Sequence, residues 1–180
     1  MGTRSLTMVI DQDGQTKIAQ YGQFDGYPSG VGVGVLKFLQ DKELTILLKN
    51  KLSIVRFLDA KGKDKDFFEN YNKNAPEWSS QPDNRTPEQI KWFESYIHRN
   101  ICEEILTKVA ESDDSEIILI NNEQTAKEDG WVEWSYVINF KENTLNIHYH
   151  IDTPPIKIYQ LDQLPTKEVF IDELENNNEE

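Results

Sequence analysis

The sequence predicts one α+β domain, with a mixed and mostly antiparallel sheet on which helices pack. Two pairs of short alternating segments, one near each end of the chain, are typical of β-hairpins. Between them, apolar residues recur at helical spacing. The 180 residues can bury one core, and no boundary leaves enough sequence on both sides for two.

The first hairpin is expected over residues 4–11 and 15–22. Leu6, Met8 and Ile10 lie on one face of the first segment, which predicts a half-buried strand, and Asp13-Gly14 supplies a tight turn. Residues 23–34, which we call the motif loop, contain four glycines and one proline. Such a composition indicates a specific loop, and the apolar spacing after it predicts a short helix.

Helices are expected in the middle of the chain. Residues 43–58 carry an apolar stripe typical of one or two helices. Thr86, Pro87 and Gln89 form a helix start with a capping box, so one long helix is predicted near 87–110. Its flank contains Cys102, the only cysteine, which excludes an intramolecular disulfide and is interpreted as a core thiol.

The second half of the chain predicts strands again. A short strand is expected at 116–120, a second hairpin at 131–140 and 145–152, an edge strand at 156–161 and a helix at 166–174. We place the domain at 1–171. The tail 172–180 holds five acids and no base, so we expect it to extend into solvent.

Charge is the most informative property of the composition. The chain has 19 basic and 32 acidic side chains, a net of −13. Residues 1–60 hold seven bases and six acids, so residues 61–180 carry 12 bases and 26 acids, a net of −14. Such a surface repels a phosphate backbone and attracts basic protein surfaces, which disfavours direct nucleic-acid binding. A solvated face that only confers solubility has the same composition.

Three ligand-type side chains share one face of the last predicted hairpin strand. Strand periodicity places His148, His150 and Asp152 about 7 Å apart, and imidazole and carboxylate groups suit a divalent metal. The same alternation is expected for the wet side of a half-solvated strand that binds no metal.

The motif loop offers a second candidate site. Its candidate residues bring a carboxylate, a phenol and a hydroxyl together, and they are Asp25, Gly26, Tyr27, Pro28, Ser29 and Gly30. A serine nucleophile needs a base, and all three histidines are remote in sequence. The glycines fit neither a P-loop nor a dinucleotide-binding template. An architectural role for the loop, with Asp25 fixing its own turn, is therefore the alternative.

A third candidate site is a surface for a protein partner. Four aromatic side chains lie in the polar segment 59–85, and Trp78 is the best candidate for an exposed anchor. The acids Asp172, Glu173 and Glu175 are the corresponding candidates for attracting a basic partner.

Two segments carry a family resemblance. Residues 1–7 are Met-Gly-Thr-Arg-Ser-Leu-Thr, and residues 21–30 are Tyr-Gly-Gln-Phe-Asp-Gly-Tyr-Pro-Ser-Gly. Together they resemble the opening of a family of largely uncharacterised bacterial and phage proteins. The resemblance covers about the first 40 residues and implies an origin in phage or mobile elements. Small acidic proteins of such origin often block host defence, including type II CRISPR nucleases. The resemblance assigns no catalytic residue.

The leading hypothesis is therefore an acidic, non-enzymatic protein that inhibits a host protein by occupying its basic surface. An anti-CRISPR protein acting on a type II CRISPR nuclease is the specific candidate. One alternative is a metal-assisted nuclease or hydrolase that uses His148, His150 and Asp152, and another is a small structural or assembly protein. No cofactor is expected. The chain has no secretion signal or membrane span, so we expect it in the bacterial cytoplasm.

Overall fold

Seven β-strands form two sheets in the described part of the chain. The structure is a computed structural model, and it describes residues 2–73, 86–96, 101–128, 130 and 132–176. They are β1 (Ser5–Ile10), β2 (Thr16–Gly22), β3 (Val55–Phe57), β4 (Ile117–Leu119), β5 (Trp134–Asn139), β6 (Thr144–Tyr149) and β7 (Lys157–Gln160). Five form one sheet in the order β2-β1-β5-β6-β7, and β3 pairs with β4. Three of the four pairs in the large sheet are antiparallel, which confirms the predicted fold class and sheet type.

The first hairpin has its predicted position, and its turn is fixed by one carboxylate. Asp11 Oδ1 accepts hydrogen bonds from the backbone N–H groups of Asp13 at 3.0 Å and Gln15 at 2.8 Å. Gly14 takes a φ of 87°, which glycine adopts without a steric penalty. The β5–β6 hairpin and the edge strand β7 also lie where the alternation predicts them.

The centre of the large sheet is a parallel pair formed by β1 and β5, with Thr7 opposite Tyr136. Both faces of β1 are covered. Val9 packs in the larger hydrophobic core, whereas Leu6 and Met8 pack in a smaller core on the opposite face. The expectation of a half-buried strand is therefore wrong, because β1 lies inside the sheet and both of its faces are packed against other elements.

The helices in the described part of the chain are α1 (Val33–Gln40), α2 (Lys42–Lys51), α3 (Lys65–Lys73), α4 (Pro87–Glu94), α5 (Ile105–Ala110), α6 (Glu123–Glu128) and α7 (Lys167–Ile171). α1, α2, α5 and α7 contribute buried residues to the larger core, and α6 contributes Ala126 to the smaller one. None of these helices has the length and apolar character that crossing a bilayer requires.

The helical stripe predicted for residues 43–58 ends earlier than expected. α2 stops at Lys51, and Val55–Phe57 forms β3, which pairs in parallel with β4. Arg56 anchors this small sheet through two bonds to the Asp64 carboxylate, at 2.6 and 2.9 Å. These bonds, followed by one from the backbone N–H of Asp59, lower the pKa of Asp64 to about 2.

The single long helix predicted near 87–110 is wrong. The capping box is present, since Thr86 Oγ1 accepts from the Gln89 N–H at 3.2 Å and Gln89 Oε1 accepts from the Thr86 N–H at 3.0 Å. The helix it starts ends at Glu94, and a separate helix, α5, begins only at Ile105. Between them Cys102 has a φ of 47°, a left-handed conformation that an α-helix cannot contain.

The acidic C-terminal segment differs from the solvated tail that we expected. Asp172–Asn176 continues α7 as a wide helical turn, and Leu174 is only 1% exposed. The sequence pattern misses this packing because one apolar residue among many acids does not make a periodic stripe. Residues 177–180 lie outside the described residues.

Candidate functional site

The motif loop lies at the end of the sheet where β1 begins, and hydrogen bonds attach it there. The Gly26 N–H donates to the Thr3 carbonyl oxygen at 3.0 Å, and the Gly26 carbonyl oxygen accepts from the hydroxyl of Tyr136 at 2.8 Å. Tyr136 is fully buried on β5. Gly26 is therefore fixed both to β5 and to the segment that leads into β1.

Two glycines of the motif loop lie where no side chain fits. A Cβ on Gly30 would collide with the carbonyl oxygen of Asp25. A Cβ on Gly32 would lie 2.8 Å from the Tyr136 ring and 3.1 Å from the Phe170 ring. These approaches let the start of α1 sit close to the sheet, which agrees with the architectural interpretation of the glycines.

Asp25 is an exposed acid of this loop, and two neighbouring residues in the sequence carry exposed rings. Its φ of 53° is left-handed, and its carbonyl oxygen accepts from the Val31 N–H at 2.9 Å. Its main chain closes the turn, and its side chain is exposed. Phe24 is 45% exposed and Tyr27 is 48% exposed. The loop thus displays one carboxylate and two aromatic side chains from a fixed backbone.

The C-terminal turn brings a further carboxylate to the motif loop. Glu175 Oε1 accepts from the Ser29 N–H at 2.7 Å. The preceding residues anchor the turn, because Glu173 accepts from the Tyr159 hydroxyl at 2.7 Å and pairs with Lys157 at 2.9 Å. These two partners, Lys157 first, lower the pKa of Glu173. Two candidate groups that are about 145 residues apart in sequence are therefore neighbours.

Glu103 lies beside the same loop, and sequence reasoning missed it. A Cβ on Gly34 would lie 2.5 Å from Glu103 Oε1, so this carboxyl group packs on the first turn of α1. Burial raises the pKa of Glu103, and the charges of Glu104 and Asp25 raise it further. The sequence signal that could have identified Glu103 was its position as an acid between two apolar residues of the predicted helix stripe, Ile101 and Ile105.

Cys102 is a partly buried thiol under the loop. A Cβ on Gly22 would lie 3.1 Å from its sulfur. Burial raises the pKa of Cys102, with the neighbouring charge of Glu103 as the next cause. A thiol whose pKa is raised is a poor nucleophile at neutral pH, which agrees with its interpretation as a core thiol.

The face formed by these elements is negatively charged, and its acids form no ion pair with the described residues. We define the motif-loop face as Phe24, Asp25, Tyr27, Ser29 and Glu175. No ion pair within the described part of the chain involves Asp25, Glu103 or Glu175. Carboxylates beside exposed rings are suited to contact a cationic protein surface.

The structure does not bring the predicted metal ligands together. β6 ends at Tyr149, and a φ of 67° at His150 breaks the alternation. His148 Nδ1 lies 2.8 Å from the Thr153 carbonyl oxygen, and His150 Nδ1 lies 3.0 Å from that of Val132. A carbonyl oxygen only accepts, so each Nδ1 carries a hydrogen. Asp152 is exposed, and the described residues contain no group of three His, Cys, Asp or Glu side chains that could hold a metal ion.

Two predicted partner-binding residues lie elsewhere in the chain. Asp172 is exposed at the start of the C-terminal turn, whereas Trp78 lies outside the described residues. No hydrogen bond in the described part of the chain joins Ser29 to either His148 or His150. Comparison of the chain with protein-family models, curated proteins and solved structures finds no match.

Proposed function

We propose that this chain is a binding protein that inhibits a host protein by placing the motif-loop face on a cationic surface of that protein. The observation that carries the proposal is the 2.7 Å bond between Ser29 and Glu175, which joins the loop and the acidic C-terminal turn into one face. The function needs no covalent chemistry, because recognition alone blocks the partner's surface.

Charge supports the direction of recognition. The net charge of −13 attracts cationic surfaces at long range, and opposite charges across an interface raise the association rate. Asp25 and Glu175 have no basic partner in the described part of the chain, so no internal ion pair has to break before they meet a partner's lysines or arginines.

The rigidity of the loop supports affinity. Tyr136 on β5 and Thr3 just before β1 hold Gly26, and the close contacts of Gly30 and Gly32 leave the loop little room to change shape. A surface ordered before binding loses less conformational entropy when the complex forms. Phe24 and Tyr27 supply the aromatic contact area that is enriched at interface centres.

The class of partner follows from the charge and from the resemblance of residues 1–7 and 21–30 to phage proteins. A host protein that handles nucleic acid presents a basic groove, and an acidic protein fits that groove in place of the phosphate backbone. A type II CRISPR nuclease is the specific partner that we propose, with an anti-CRISPR role for this chain in the bacterial cytoplasm.

The test is inhibition of DNA cleavage by a type II CRISPR nuclease, together with the affinity for that nuclease at low and high salt. We expect affinity to fall at least about tenfold between about 50 mM and about 500 mM salt, because salt screens the attraction between opposite charges. The variant D25N/E175Q should weaken affinity by about tenfold. Asn tolerates the left-handed backbone at position 25, and Gln keeps the acceptor for Ser29.

The matched control is E142Q/D162N, which removes the same charge from the opposite end of the sheet. Both control residues are exposed, and they lie after β5 and β7, the ends remote from the motif loop. Equal loss of affinity in the two variants would contradict docking through the motif-loop face. Affinity that does not respond to salt would contradict the charge-based mechanism.

A further inference from the structure

A polar cavity lies at the end of β1 opposite the motif loop. It has a volume of about 220 Å³ and opens between the first hairpin turn, the C-terminal end of α2 and Phe140. Its polar lining includes Asp11, Asp13, Lys17, Lys49 and Ser53. Pockets for drug-sized ligands measure about 300–1,000 Å³, so this cavity suits a smaller molecule.

Two ammonium groups line the cavity, and only that of Lys17 forms an ion pair in the described part of the chain. Lys49 Nζ lies 4.7 Å above the centre of the Phe140 ring and forms no ion pair in the described part of the chain. Lys17 Nζ is 3.9 Å from Asp11 Oδ2, which is the outer limit of an ion pair. Asp11 already accepts two backbone N–H groups with its other oxygen.

Helix electrostatics explains only part of this arrangement. Lys49 and Lys51 occupy the last turn of α2, where a cation offsets the partial negative charge of the carbonyl end. Lys17 belongs to β2, so that effect does not account for it. A third lysine, Lys141, also reaches this turn, because a Cβ on Gly14 would lie 3.2 Å from its Nζ. Two elements, β2 and α2, thus bring lysines to one cavity of a chain whose net charge is −13.

The chemistry of the lining selects a class of ligand. Two lysines suit a phosphate group, because each lysine ammonium attracts phosphate as a point charge. The Asp13 carboxylate and the Ser53 hydroxyl accept hydrogen bonds from alcohol groups, and a free phosphate ion offers them fewer donors than a phosphorylated polyol does. We propose that this cavity binds a small phosphorylated polyol, with its phosphate between Lys17 and Lys49 and its hydroxyls on Asp13 and Ser53. This proposal is independent of the motif-loop face.

Titration calorimetry of the full chain tests the proposal with three probes, namely ribose 5-phosphate, inorganic phosphate and ribose. We expect saturable binding of ribose 5-phosphate, binding of phosphate at least about tenfold weaker, and no binding of ribose. In K17M/K49M, methionine keeps the aliphatic stem over Phe140 and removes the charge. That variant should lose about tenfold or more in affinity for ribose 5-phosphate.

The control K42M/K61M carries the same net charge but changes two exposed lysines that do not line the cavity. It should bind ribose 5-phosphate like the natural chain. The proposal is overturned if the natural chain shows no saturable binding of ribose 5-phosphate, or if K17M/K49M and its control bind it equally. Equal affinity for inorganic phosphate and ribose 5-phosphate would overturn the role given to Asp13 and Ser53.

Discussion

Tyr136 donates a hydrogen bond of 2.8 Å to the carbonyl oxygen of Gly26, and this bond joins the centre of the sheet to the motif loop. The two residues are 110 positions apart in the sequence. Burial raises the pKa of Tyr136 well above its usual value, so the hydroxyl keeps its hydrogen at any physiological pH. The bond is a fixed structural connection, and it ties the shape of the proposed docking face to the stability of the fold.

Tyr136→Phe should therefore destabilise the chain by about 1–3 kcal/mol, because the buried carbonyl oxygen of Gly26 loses its hydroxyl partner. The measurement is the free energy of unfolding from a denaturant titration. Tyr27→Phe is the control: this ring is 48% exposed, and the change should stay within about 0.5 kcal/mol. Equal stability of Y136F and the natural chain would show that water or a shifted loop satisfies the carbonyl.

Two glycines of the motif loop should respond to alanine in different ways. Gly30 has a φ of −100° and a ψ of −106°, and in Gly30→Ala the new methyl group would collide with the backbone oxygen of Asp25. This substitution should lower the free energy of unfolding by about 2 kcal/mol or more. In Gly34→Ala the atoms nearest to the new methyl group belong to the Glu103 side chain, which can rotate, and the helix gains up to about 1 kcal/mol of propensity. In thermal unfolding, the melting temperature of G30A should be well below that of G34A. A G34A variant as unstable as G30A would mean that Glu103 cannot move.

The local elements could be predicted from the sequence, and the contacts between them could not. Alternation over 4–11 and 15–22 locates β1 and β2, because strand periodicity is encoded residue by residue. The parallel β1–β5 pairing joins segments about 130 residues apart, and no local pattern records it. Burial of both faces of β1 follows from that pairing, which is why the half-buried strand was the wrong expectation.

The candidate site was predictable in its parts. The motif loop and Glu175 were both identified from composition, whereas their contact depends on how α7 and the turn after it pack. The left-handed Cys102 between α4 and α5 has no sequence signal, since cysteine is not a residue that favours positive φ. His150 is similar, because one positive φ at the end of β6 removes the expected alignment of metal ligands.

Leu174→Ala should show that the acidic C-terminal turn belongs to the domain. Leu174 is 1% exposed in the larger core, so truncation should cost about 2–4 kcal/mol of unfolding free energy. Val169→Ala on α7 is the matched control, since this side chain is 46% exposed and should change stability by about 0.5 kcal/mol or less. A near-neutral L174A would mean that the turn leaves the domain readily in solution, and Glu175 would then leave the motif loop with it.

Glu103→Gln should stabilise the chain at neutral pH. Burial, followed by the charges of Glu104 and Asp25, raises the pKa of Glu103 above its usual 4.5, so the folded state holds this proton more tightly than the unfolded state does. The natural chain therefore loses stability as the pH rises from about 4.5 through the raised pKa, whereas glutamine does not ionise. Denaturant titrations at pH 7 and at about pH 4 should show E103Q more stable at pH 7, with a smaller difference at the lower pH.

The same substitution links stability to function. Natural proteins often retain a destabilising group where function needs it, and Glu103 adds negative charge beside Asp25. E103Q should therefore weaken binding to the cationic partner while it stabilises the fold. Glu111→Gln is the control, because this exposed acid directly follows the C-terminal end of α5 and should change neither property measurably. If E103Q lowers stability at pH 7, the carboxylate makes favourable contacts that outweigh its burial, and the proposed exchange of stability for binding is wrong.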